Sequence, residues 1–255
     1  MDKIYKKIIN TMLKAGKRIR KKAGKIEDIG VAKKYLTEED LRIERELKKI
    51  ISTNFPNHEY FSEEENFNFV DAKDVWVCDP ISGTATFIKG LAHYGMAMAH
   101  VHNREVVFSV VYDPSVDELY TAYKNKGAFL NGKKLQIQQN DDDRPNVLFL
   151  LSKNWKNINQ SKEMFKKLAG FKLYRTWNSQ AVSYCHVARG IYNGMVCFSK
   201  DSFPDFAGSL IVKEAGGKFT NYKNEIEPKP EDRIFVCGDD KTYKLIEPLV
   251  KEVIM

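Results

Sequence analysis

The segment Val75-Trp76-Val77-Cys78-Asp79-Pro80-Ile81-Ser82-Gly83-Thr84 constrains the fold more than any other part of the chain. A short apolar run rich in β-branched residues predicts a buried strand. The run ends on a carboxylate, and Pro80 follows, which cannot donate to a sheet ladder. Gly83-Thr84 then opens a helix. This arrangement puts an acid at the carboxyl end of a strand, beside backbone N–H groups left free at a helix start. Such a junction is where a metal and a phosphate can meet.

The rest of the chain supplies elements to surround that strand. Ile4, Ile8, Met12 and Ala15, with Ile9 and Leu13, form the apolar stripe of a first helix. Residues 24–35 read as a mobile basic loop. Thr37-Glu38-Glu39-Asp40 has capping-box form, and Ile43, Leu47, Ile50 and Ile51 give the buried face of a second helix. Tyr60-Phe61 is a short strand leading into Glu63-Glu64-Glu65. Residues 94–101, 105–112 and 118–123 predict an antiparallel meander, and Asn131-Gly132 a hairpin turn. Residues 140–145 are polar, charged and closed by Pro145, which makes them the best domain boundary. Beyond it strands (147–151, 172–175, 192–198, 233–237) alternate with helices (162–168, 181–189, 205–215, 241–253). The expected architecture is a layered α/β sandwich with helices between sheets. An α+β subdomain over 1–140 would carry most of the acids, and an α/β subdomain over 145–255 would carry Asp205, the two forming one catalytic unit.

Bulk properties narrow the class. The chain has 255 residues, ordinary apolar content and a formal net charge of +7. Its longest aliphatic or aromatic run, 147–151, is far too short to span a bilayer. The amino terminus shows no secretory h-region. Cys78, Cys185, Cys197 and Cys237 are scattered without metal-type spacing, as in a reduced cytoplasmic protein. His58, His93, His100, His102 and His186 have no zinc spacing and read as structural or surface residues. There is no nucleophile elbow and no Gly-x-Gly-x-x-Gly. Lys14, Lys17, Arg18, Arg20, Lys21, Lys22 and Lys25 cluster; they read as a solvated helix end or as a patch for a polyanion such as RNA.

Several spaced motifs together resemble the inositol monophosphatase-like family of Mg²⁺-dependent, lithium-sensitive phosphatases, within the fructose-1,6-bisphosphatase/inositol monophosphatase superfamily. The Asp79 segment resembles its Asp-Pro-Ile-Asp-Gly-Thr signature, and Tyr60-Phe61-Ser62-Glu63-Glu64 its Gly-Glu-Glu segment. Asp205-Phe206-Ala207-Gly208 and Glu214-Ala215-Gly216-Gly217 resemble its Trp-Asp-x-Ala-Gly…Glu-Ala-Gly-Gly segment. Val110 to Pro114, Gly127 to Gly132 and Val187 to Gly190 also match, so the resemblance runs from about Leu36 to Cys237. It implies that Glu63, Asp79 and the Ile81 carbonyl hold a first metal, and that Asp79 and Asp205 share a second. It implies a phosphate held by Ser82, Gly83 and Thr84, with Asp40, Glu63 and Thr84 in the catalytic machinery. Asn178, Ser179, Lys200 and Asp205 would contact substrate. The implied cofactor is Mg²⁺, with Mn²⁺ as a substitute, and the implied assembly a homodimer.

Taken singly, each acid has a plainer reading. Glu63 lies in a charge run with Glu64 as its register alternative, Asp79 could be a turn residue, and Asp205 could cap a helix. Three positions also depart from the family pattern. Ser82 replaces a metal-binding aspartate, Pro204 replaces a tryptophan, and Phe198 stands where inositol-selective members carry a glutamate. Two functions follow. One is a phosphomonoesterase acting on a sugar phosphate, an inositol phosphate or a nucleotide 3′-phosphate. The other is a weakened family member that binds RNA or the transcription machinery.

Overall fold

The computed structural model describes residues 1–31, 35–65, 69–139, 143–152, 155–175 and 179–254. Seven strands, β1 (Glu59–Ser62), β2 (Asp74–Ser82), β3 (Gly95–His102), β4 (Glu105–Asp113), β5 (Glu118–Tyr123), β6 (Gly127–Leu130) and β7 (Lys133–Leu135), form one sheet in sequence order. Only β1 and β2 pair in parallel; the remainder is the antiparallel meander expected from the turns. A second sheet, ordered β11-β12-β10-β8-β9, comprises β8 (Asn146–Leu151), β9 (Lys172–Tyr174), β10 (Gly194–Phe198), β11 (Lys218–Asn221) and β12 (Ile234–Gly238). Strand β11 has no counterpart in the sequence reading. It is a short edge strand held by pairing with β12 rather than by its own propensity.

Helices make the other layers. α1 (Asp2–Lys22) and α2 (Glu38–Asn54) pack on one face of the large sheet with Trp76, Cys78, Met96, Met98 and Phe108. Tyr5 of α1 stacks on Phe108 with ring centroids 3.9 Å apart. α4 (Ile158–Leu168) and α7 (Asp240–Ile254) cover the outer face of the small sheet around Phe149, Val196 and Phe198. Between the sheets lie α5 (Gln180–Ala188) and α6 (Phe203–Glu214), both buried along nearly their whole lengths. Their core joins Phe61, Val75 and Val77 of the large sheet to Leu148, Met195 and Phe235 of the small one. The result is the expected α/β sandwich.

Alternation along β2 places the site. Val75 and Val77 face the central layer, Trp76 and Cys78 the outer helices, and Asp79 continues the Val75–Val77 row inward. Phe61 occupies the same inner face of β1, and Glu63 N donates to the Cys78 carbonyl at 3.2 Å just beyond that strand. The strand therefore delivers Asp79, and the loop after β1 delivers Glu63, to the space where α5 and α6 begin.

Candidate metal-phosphate site

Pro80 sits inside β2 because the ladder breaks there. Asp79 pairs with Ala97 but Ser82 with Gly95, so one residue is extra and forms a bulge. The chain then turns through Gly83 at φ +81° into α3 (Thr84–Ile88). A Cβ on Gly83 would lie 3.0 Å from the backbone of Ser179, so both the conformation and the close approach require glycine.

Four carboxylates and one ammonium occupy the cleft. Asp79 is 2% exposed and its Oδ1 has no hydrogen-bond partner; Asp205 is fully buried and its Oδ2 has none. The other Asp205 oxygen accepts from Gln180 Nε2 at 2.7 Å and from the Tyr184 hydroxyl. Lys200 Nζ bonds Glu63 Oε1 and lies 3.3 Å from Asp201. Burial, then Glu63 and Asp201, push the Asp79 carboxyl well above the usual carboxylate range. Burial and then Asp201 drive Asp205 the same way, against the hydrogen bonds from Tyr184 and Gln180. Dry carboxylates with unused oxygens are costly without a cation. Oxygen donors of this kind suit a hard dication such as Mg²⁺ or Mn²⁺, so these residues fit the metal that the sequence implies.

The expected catalytic pair also meets. Thr84 Oγ1 lies 2.8 Å from the Ile81 carbonyl and 3.3 Å from Asp40 Oδ1, and can donate to either. Asp40 is the third residue of α2, and its Oδ2 accepts from Thr37 N at 2.8 Å in the expected capping box. Burial above all pushes its carboxyl up to about 8, with hydrogen bonds from Thr37 opposing.

Other expected residues are placed less simply. Ser82 is 3% exposed, and its Oγ accepts from Ala181 N at 3.3 Å in the first turn of α5. Ser179 is the buried N-cap of α5, accepting from Val182 N at 3.1 Å. Asn178 lies outside the described residues. Phe198 packs against Phe149 and Trp155 in the outer core. Asp201 joins the cleft; the sequence marks it, with Lys200, as a residue that could read a substrate other than inositol and not as a metal ligand. Glu44 of α2 carries no sequence signal. It is fully buried, and its carboxylate accepts from Ser62 Oγ at 2.5 Å, Glu64 N at 3.2 Å and Glu65 N at 3.0 Å. It thereby shapes the turn that carries Glu63.

Buried acids near strand ends, beside helix starts, are of the kind a cation-dependent hydrolase built on an α/β sandwich uses. The chain belongs to the Inositol monophosphatase family, whose sequence profile matches residues 1–254. It is 26% identical to an inositol-1-monophosphatase of Rhizobium meliloti over 97% of this chain and 96% of the relative. It is 30% identical to a protein of Pasteurella multocida named Nus factor SuhB, over 82% and 84% of the two chains. The solved structure of a Thermotoga maritima IMPase superposes with a TM-score of 0.82 at 25% identity, covering 99% of this chain and 100% of that one. The chain is thus an enzyme of the phosphatase class. Among the described residues, no helix is long and apolar enough to cross a membrane.

Proposed function

We propose that this protein is a Mg²⁺-dependent phosphomonoesterase acting on a small phosphorylated metabolite. The observation that carries the reading is the pair of unused, buried carboxylate oxygens on Asp79 and Asp205. Glu63, Asp79, the Ile81 carbonyl and Asp205 would hold the metal, which when bound supplies an acidified water and neutralises phosphate charge. Asp40 and Thr84 form a hydroxyl–carboxyl pair that would orient a water and take up a proton, the Asp40 carboxyl being pushed up to about 8 by burial. The Gly83 and Thr84 amides, at the start of α3, would meet phosphate oxygens. Phe198 turns into the outer core and offers no polar group, which favours a sugar phosphate or nucleotide 3′-phosphate over inositol phosphate.

A regulatory reading draws on the relatives named Nus factor SuhB. The basic segment of α1 is a weak basis for it. Arg18 pairs with Glu39 and Glu46, and Lys22 with Glu38 and Glu39, so acids of α2 absorb part of its charge.

The test is phosphate release from a panel of sugar phosphates, inositol phosphates and adenosine bisphosphates under Mg²⁺ and Mn²⁺ titration. Turnover that depends on metal and is abolished by Asp79→Asn is expected. No release above background from any member, with the protein folded, would reject the assignment.

A further inference from the structure

Gln180 and Tyr184 stand one turn apart on α5, so both side chains project from one face of that helix toward α6, whose first turn carries Asp205. Gln180 Nε2 donates to Asp205 Oδ1 at 2.7 Å, and the Tyr184 hydroxyl donates to the same oxygen. Tyr184 fits there because the residue one turn further along α6 is glycine; a Cβ on Gly208 would run into its ring. Two donors on one carboxylate oxygen use both of its lone pairs. Asp205 Oδ2, buried with the rest of the side chain, has no hydrogen-bond partner among the described residues.

The Gln180 amide is itself held in one orientation. Its Oε1 accepts from Ser199 Oγ at 3.0 Å, and Ser199 Oγ in turn accepts from Asp201 N at 3.4 Å, which directs the hydroxyl proton at Gln180. With the carbonyl end taken, only the NH₂ end faces Asp205. Ser199 is 2% exposed and follows directly on β10, so this anchor belongs to the sheet rather than to a free loop.

We propose that Gln180 is a positioning residue that makes Asp205 a one-oxygen ligand, and that this lock favours Mg²⁺ over Ca²⁺ in the cleft. Mg²⁺ demands octahedral geometry at about 2.0–2.1 Å, which a carboxylate meets with one oxygen. Ca²⁺ sits at about 2.3–2.6 Å, takes roughly six to eight oxygens and accepts both oxygens of one carboxylate. An Asp205 free to offer both oxygens would serve the larger ion; with Oδ1 fully used by Gln180 and Tyr184, Oδ2 alone is left and the smaller ion is served. The proposal rests on the phosphatase reading only in taking Asp205 as a cation ligand.

The test is calorimetric titration of Mg²⁺ and of Ca²⁺, separately, into metal-free wild type, Gln180→Met and Ser199→Ala. Gln180→Met keeps the length of the side chain and removes the donor, so the ratio of Mg²⁺ to Ca²⁺ affinity should fall about tenfold. Ser199→Ala touches neither Asp205 nor a cation, but frees the amide to turn over, and should move the ratio the same way by a smaller factor. A ratio unchanged in either variant would overturn the proposal. So would two affinities that fall in parallel, the result loosened packing alone would give. Wild type that binds neither cation would instead reject the phosphatase reading itself.

Discussion

Replacing Asp79 by Asn should make the protein more stable without metal and insensitive to it. Asp79 is 2% exposed, one of its oxygens has no partner, and its neighbour Glu63 is a second carboxylate. An unsatisfied buried polar group costs about 1–3 kcal/mol. The asparagine amide is neutral at every pH and can donate to Glu63, whereas the buried carboxyl must first take up a proton to do so. That gain should raise the melting temperature in EDTA by about 2–12 °C for a chain of this size. The wild type should be stabilised by Mg²⁺ by about 2.7 kcal/mol at a hundredfold excess over the dissociation constant. The substitution should remove most of that increment. Thermal unfolding of both proteins in EDTA and in a Mg²⁺ series reads all of these shifts. A variant less stable than wild type in EDTA, or equally stabilised by Mg²⁺, would refute the idea that Asp79 is kept costly in order to bind a cation.

Other consequences follow from groups around the cleft. Glu44→Gln places an amide against the backbone N–H groups of Glu64 and Glu65 and should weaken Mn²⁺ binding roughly 10- to 100-fold, read by calorimetry; unchanged affinity would remove Glu44 as the support of Glu63. Gly83→Ala should cost about 1–3 kcal/mol in urea unfolding, because φ is +81° and Ser179 backbone stands in the way; a neutral result would show the turn can relax. His100 and His186 are pushed down to about 4, chiefly by burial, so their rings stay neutral in the folded state. The unfolded chain then binds more protons below about pH 6.5, so stability is full above that pH and falls toward pH 4, by at most on the order of 3 kcal/mol per ring. His186→Asn should flatten urea-unfolding stability over that window, and an unaltered slope would contradict the assignment.

The layers of this fold were legible because strong periodicity and turn chemistry agree along most of the chain. The apolar β-branched run of β2 announced a strand ending on Asp79 and the Thr37–Asp40 box announced α2, whereas the meeting of Asp40 with Thr84 was implied only by the family resemblance. What could not be read was convergence. Asp201 and Glu44 carry no local pattern, and only packing brings one to the cleft and the other beneath the Glu63 turn. Ser82 was visible as a break in a signature, but its use by the α5 amide depends on a contact 99 residues away. For the basic run of α1, sequence could not show that α2 acids pair with Arg18 and Lys22.

The most direct test of the account is the anomalous difference density of crystals of this protein soaked in Mn²⁺. The account predicts Mn²⁺ within the oxygen cage of Glu63, Asp79 and the Ile81 carbonyl, with Lys200 withdrawn from Glu63, and further density at Asp205. Fully occupied crystals with no anomalous peak among these oxygens, and Lys200 still on Glu63, would contradict it.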